Sequence, residues 1–248
     1  RPSRVWSSAL LHTLDGLLDD LHTGHEHTAL IKLRNHQPDL LNALEHTIVH
    51  DPTLAITIII KLRAYHQRQH TTFDYLPWIT RAQSHPELSQ EHRTELMLSE
   101  AICLDHMAGR IDDAQQRFEQ CAQHAEHLNT LSRFDLYYHY AIYTEDKMNS
   151  EEEFNLAKKL LQQALELIPD DDHTQSARLS GAYNVLAQLA MQKGDHQEAR
   201  RQAERAQHHA HLSQSVLRTA SSSFTLHRIL HLAGELDAAE HAARQAQF

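Results

Sequence analysis

Twenty-three histidines in 248 residues make metal binding the first chemistry to test. Two imidazoles one helical turn apart can reach one metal. His46/His50, His66/His70 and His227/His231 have that spacing, and His22/His25/His27 and His208/His209/His211 form local clusters. A closed site needs further ligands converging from another element. No His-Glu-x-x-His is present, and no Cys/His arrangement assembles a closed ligand set. The histidines spread over the whole chain, often beside glutamine, as a polar surface would. The expectation is no metal and no cofactor.

Enzyme signatures fail in turn. There is no Gly-x4-Gly-Lys-Ser/Thr phosphate loop, no Gly-x-Ser-x-Gly elbow and no Gly-x-Gly-x-x-Gly. Cys103 and Cys121 both fall on faces expected to pack, so they read as reduced core thiols. The acidic runs Glu151–Glu153 and Asp170–Asp172 stand where helices begin. There they favour the helix dipole and cap free N–H groups. Ser221–Ser223 reads as a small-residue face without a base. No catalysis by this chain is expected.

Charge narrows the partners. A formal net charge of −10 gives no general attraction to nucleic acid or to an anionic membrane. No apolar run approaches a membrane span of about 20 residues, and no signal peptide is visible. A cytoplasmic protein is expected. The chain opens at Arg1-Pro2 and stops inside a helical pattern at Phe248, which reads as a piece of a longer protein.

The elements that must position these residues are helices. Leu, Ala, Gln, Glu and His dominate, with six Gly and six Pro. Helical spacing covers 4–22, a stretch from Thr28 or Pro38 to His50, and, after Asp51-Pro52 as N-cap and first position, a stretch to about His70. The β-branched run Ile56–Ile60 is compatible with a strand, but its flanks favour helix. Then come 72–84, followed by the pairs 87–108 with 111–127, 131–147 with 151–168, 173–193 with 196–211, and 214–233 with 236–248. Gly109, Gly194 and Gly234 stand at three of the turns, where positive φ is least costly for glycine. The last small residue of each second helix is Ala82, Cys121, Ala164, Ala206 and Ala246, at separations of 39, 43, 42 and 40 residues. A near-constant period means stacked units, none able to bury its apolar face alone. The pattern predicts an all-α, right-handed superhelix of antiparallel helix pairs, about twelve helices in all, with Ala199 and Ala206 buried.

One unit reads Tyr183-x2-Leu186-Ala187-x2-Ala190-x3-Gly194, then Ala199-x3-Ala203-x2-Ala206. This resembles the tetratricopeptide repeat (TPR), as does Ala157…Leu161…Ala164…Pro169. The period near forty instead of thirty-four, and the loss of most first-helix aromatics, depart from the family's pattern. The long period resembles the divergent repeats of bacterial STAND-type ATPase transcriptional regulators. Residues 33–82, with His50-Asp51-Pro52-x-Leu54-Ala55 and Trp78-Ile79-x2-Ala82, resemble the segment that joins the ATPase core to those repeats. The resemblance implies a linker-side helical segment at 1–35 and a repeat array at 36–248. It also implies a groove lined by first helices, with positions at Ser99, Cys103 and His106; His139 and Ile142; Asn184, Gln188 and Met191; and Phe224, Arg228 and His231. Of these, Asn184, Gln188, Arg228, His231, His106 and His139 are the candidate contacts. The basic clamp for a free C-terminus has no counterpart at matching positions. The implied function is a sensor or partner-binding module for a protein, a peptide or a small effector. A stand-alone scaffold, or a repeat domain fused to an enzyme outside this chain, are the alternatives.

Overall fold

The computed structural model describes residues 4–21, 23–69, 71–107 and 109–246. His22 and His70, and with them two of the histidine groupings above, lie outside the described residues, as do the ends of the chain and the side chains of Val5 and Leu10. Twelve α-helices occur among the described residues: α1 Arg4–Asp20, α2 Glu26–His50, α3 Pro52–Gln69, α4 Thr72–Gln83, α5 Gln90–Asp105, α6 Ile111–Ala122, α7 Thr130–Lys147, α8 Glu151–Glu166, α9 Ser176–Gln192, α10 His196–Ser213, α11 Val216–Leu232 and α12 Leu236–Gln245. The described residues contain no strand. The Ile56–Ile60 run is helical in α3, started by Asp51, whose Oδ1 accepts from Leu54 N at 3.3 Å.

Most ends follow local chemistry. Gly109, Gly194 and Gly234 have φ of 81°, 75° and 79°, the left-handed turn an L side chain would strain. Ser150 and Glu153 form a reciprocal capping box at α8, and Asp195 caps α10 by accepting from Glu198 N at 3.0 Å. Several bounds differ from the sequence reading, two of them with a clear local cause. α5 begins at Gln90, because Ser89 caps it by accepting from His92 N. α6 ends at Ala122, and a 3-10 turn at Ala125–His127 follows in place of the last helical turn. Pro38 lies inside α2, which starts at Glu26, two residues before the earlier of the two starts considered, and runs through positions 35 and 36.

The chain divides into two compact units. Residues 1–21 and 25–132 form one, and residues 22–24 and 133–248 the other. In the first, α2 to α5 close around Ile56, Ile59, Tyr75 and Ile79, each no more than 1% exposed. Arg63 of α3 pairs with Glu95 of α5 at 3.0 Å within it, both nearly buried. In the second, the seam of α9 to α12 is built from small residues. Ala187, Ala199, Ala203, Ala239 and Ala242 pack with Leu226, Ile229 and Leu230. Side chains this short let the backbones approach, and nothing larger fits without displacement. Ala199 and Ala206 are both 0% exposed. Of the periodic small residues, Ala82, Cys121, Ala164 and Ala206 are buried, while Ala246 at the C-cap of α12 is half-buried.

Candidate functional site

In the second unit α7, α9 and α11 are the first helices of three successive pairs, and polar side chains tie them edge to edge. Arg178 of α9 holds Asp135 of α7 with both ends of the guanidinium, Nε–Oδ1 3.0 Å and Nη2–Oδ2 3.3 Å. Arg218 of α11 donates to the Tyr138 hydroxyl of α7 at 3.2 Å. Gly181 of α9 makes that reach possible. A Cβ there would lie 2.8 Å from both the Arg218 Nη1 and the Tyr138 hydroxyl. Gln192 of α9 donates to Glu145 of α7 at 2.6 Å. Toward α10 the same helix presents other residues: Ser180 donates to the Ala206 carbonyl at 2.9 Å, and Ala187 joins the small-residue seam. Each first helix therefore has a packed side and a polar side.

Several candidate residues lie on that polar side. Asn184 is 7% exposed and donates to the Ser221 hydroxyl of α11 at 3.2 Å, while its Oδ1 is buried without a hydrogen-bond partner. One turn beyond Ser221, Phe224 stands 55% exposed. The Arg228 guanidinium lies 5.9 Å from the centre of that ring. Arg228 and His231 are exposed and Gln188 is half-buried. His139 is half-buried, edge-on to Tyr138 at 5.1 Å. His106 belongs to the first unit, where it is the exposed C-cap of α5. Leu217, one heptad before Phe224, adds a 49% exposed side chain to the same line of α11.

Four positions mapped to the groove are not on an open surface, the buried Asn184 and three others. Ser99 is 0% exposed and donates to the Glu95 carbonyl one turn back; Cys103 is 1% exposed in the core with Tyr75 and Ile79. The reason is local: α5 packs against α3, α4 and α6 together, which covers the face the repeat register would leave open. Burial pushes both thiols up to about 12, and neither cysteine is in a disulfide. Met191 packs against the small-residue seam of α9 to α12.

The sequence reading missed a polar knot in the second unit. Asp170, taken as a helix cap, instead accepts from Tyr183 at 2.7 Å, pairs with Arg205 at 3.1 Å and meets His209 Nε2 at 3.0 Å. The Tyr183 ring also meets the Arg205 guanidinium, 4.0 Å from its centre, and the His209 ring, stacked at 5.5 Å. Burial acts to raise the Asp170 pKa, but bonds from Tyr183, Arg205 and His209 outweigh it and hold the carboxyl down at about 2. Burial lowers the His209 pKa and outweighs the carboxylate beside it. This is a histidine–aspartate pair, yet the ring is 2% exposed and offers no face to a substrate. What it does is pin the loop after α8 onto α9 and α10. Asp172, by contrast, is a cap, accepting from Thr174 N at 3.0 Å. Tyr183 stood at the repeat's aromatic position; nothing local marked partners 13 to 26 residues away.

Among the described residues one group could gather a metal: His124, Glu126 and His127 around the 3-10 turn, with donor atoms all within 4.8 Å of one another. A tetrahedral zinc site places its ligands about 3.3 Å apart. Glu126 and His127 are exposed and must move to close it.

No protein-family model matches the chain, and a search of curated proteins finds no match. Solved structures do. The chain is similar to BtubC (BKLC) from P. vanneervenii, with a TM-score of 0.65 at 20% identity over 88% of this chain and 90% of that one. It is also similar to a putative kinesin light chain of Podosopora anserina with nearly identical TPR-like repeats, with a TM-score of 0.56 at 17% identity over 80% of this chain and 95% of that one. At these identities the likeness establishes the fold, an all-α TPR-like solenoid of helix pairs. No helix among the described residues is long and apolar enough to cross a membrane.

Proposed function

We propose that the second unit binds a protein or peptide segment along the polar side of α7, α9 and α11, as the partner-binding module of a signal-transducing regulator of the STAND type. The observation that carries the binding reading is the row on α11: an exposed phenylalanine with an exposed guanidinium beside it. Aromatic and arginine side chains supply most of the affinity at protein interfaces. Extended peptides present side chains at regular spacing to such a row. Arg228 supplies a charge-assisted contact. The regulator assignment rests on the 33–82 segment and the long repeat, and its test is the flanking gene sequence: an upstream phosphate loop and a helix-turn-helix support it, a stand-alone repeat chain rejects it. In this reading residues 1–35 face the linker and 36–248 form the array. The chain itself is non-catalytic and cytoplasmic, where cysteines such as Cys103 and Cys121 stay reduced.

The binding test is a titration of peptides selected from a random library on the immobilised chain. Arg228→Ala is expected to weaken them by about 1.5–3 kcal/mol at unchanged melting temperature. A charge-reversed Glu151/Glu152/Glu153 variant is expected to bind like wild type. The opposite pattern would move the site to the loop before α8.

A further inference from the structure

The first unit contains a cavity of about 540 Å³ between α2, α3 and α4, independent of the face described above. Its size is that of a small-molecule site. Its walls are mainly apolar: Leu44, Leu62 and Tyr65, each no more than 3% exposed, and the half-buried Trp78. Three charged side chains also line it. Arg81 donates to both carboxylate oxygens of Glu45, at 3.1 and 3.2 Å, and stacks 4.9 Å from the Trp78 ring centre. That pair is matched. Asp74, one turn before Trp78 on the same side of α4, has no ion-pair partner among the described residues. His66 also lines the cavity. Its Nδ1 is taken by the Thr71 hydroxyl at 2.8 Å, and burial, against the pull of Asp74, holds the ring neutral. The cavity thus carries one unmatched negative charge beside aromatic walls.

We propose that this cavity binds a small organic cation with an apolar body, an aryl- or alkylamine. Its ammonium pairs with Asp74 while the body lies among Leu44, Leu62, Tyr65 and Trp78. An ammonium gains from both the carboxylate and the aromatic faces. A carboxylate ligand would face Asp74 and find Arg81 already engaged. An alcohol of the same shape would fill the cavity without the ion pair.

The chain has two tryptophans, Trp6 and Trp78, so a Trp6→Phe background makes fluorescence report Trp78 alone. The probes are 2-phenylethylamine, 2-phenylethanol and 3-phenylpropionate. The amine is expected to saturate the signal with a Kd at least tenfold below that of the alcohol, and the carboxylate to bind weakest. Asp74→Asn, at an exposed position, is expected to keep the melting curve and the alcohol affinity and to erase the amine's advantage. Equal Kd for amine and alcohol, tighter binding of the carboxylate, or no saturation by any probe at millimolar concentration overturns the proposal. Failure here leaves the peptide-binding reading of the second unit standing, because the cavity and that face lie in different units.

Discussion

The first helices of the two units share a repeat register and differ in what covers them. On α5, Ser99 and Cys103 are sealed, because three neighbouring helices meet there. On α9 and α11, Asn184 stands at the margin of burial and Phe224, Arg228 and His231 are open. Register tells which side of a helix a residue occupies. Whether that side is a surface depends on packing partners from elsewhere in the chain. The first unit keeps its recess further back, between α2, α3 and α4, and the second presents a face.

The sharpest way to break this contrast is a charge. Cys103→Asp buries a carboxylate without a partner and is expected to cost about 3–5 kcal/mol, while Arg228→Asp leaves urea unfolding near wild type. Equal effects would place Cys103 on a surface. The next effect is on pH. Burial, outweighing the raising effects of Asp74 and Thr71, lowers the His66 pKa from 6.5 to about 4. The unfolded chain takes up that proton first, so the contribution is present above pH 6.5 and is lost as pH falls toward 4, up to about 3 kcal/mol. Asp170 of the second unit, held down at about 2, loses its contribution only as pH falls below 3.8. Melting curves from pH 7 to 4 should therefore fall in wild type and fall less in His66→Gln, the remaining fall including that from His209, whose pKa burial also lowers. A parallel fall in the variant would remove His66 from the account. Ala206→Leu overpacks the buried contact of α10 with α9 behind the proposed binding face and is expected to cost about 1–3 kcal/mol. An unchanged melting temperature would mean the register of α10 is misplaced.

Much of the fold was legible because its causes are local. Gly109, Gly194 and Gly234 mark their turns by a conformation that glycine adopts without strain, and Ala199 and Ala206 mark a seam by size alone. The placement of the candidate contacts was legible in part. Arg228 and His231 are open where the resemblance placed them, and Asn184 meets α11. Asp170 could not be recognised, since a carboxylate at a helix start looks like a cap until Tyr183, Arg205 and His209 fold onto it. The cavity beside Trp78 was hidden for the same reason: its walls come from residues up to 44 apart, Gln37 to Arg81, inside a stretch read as a connector.

The most direct test of the central claim places a photo-crosslinking amino acid at position 224, on the face of α11, and separately at position 204, an exposed position of α10. Both variants are irradiated with the library-selected peptides, with unlabelled peptide as competitor. The account predicts a competable crosslink at 224 and none at 204. A crosslink at 204 with none at 224 would contradict it.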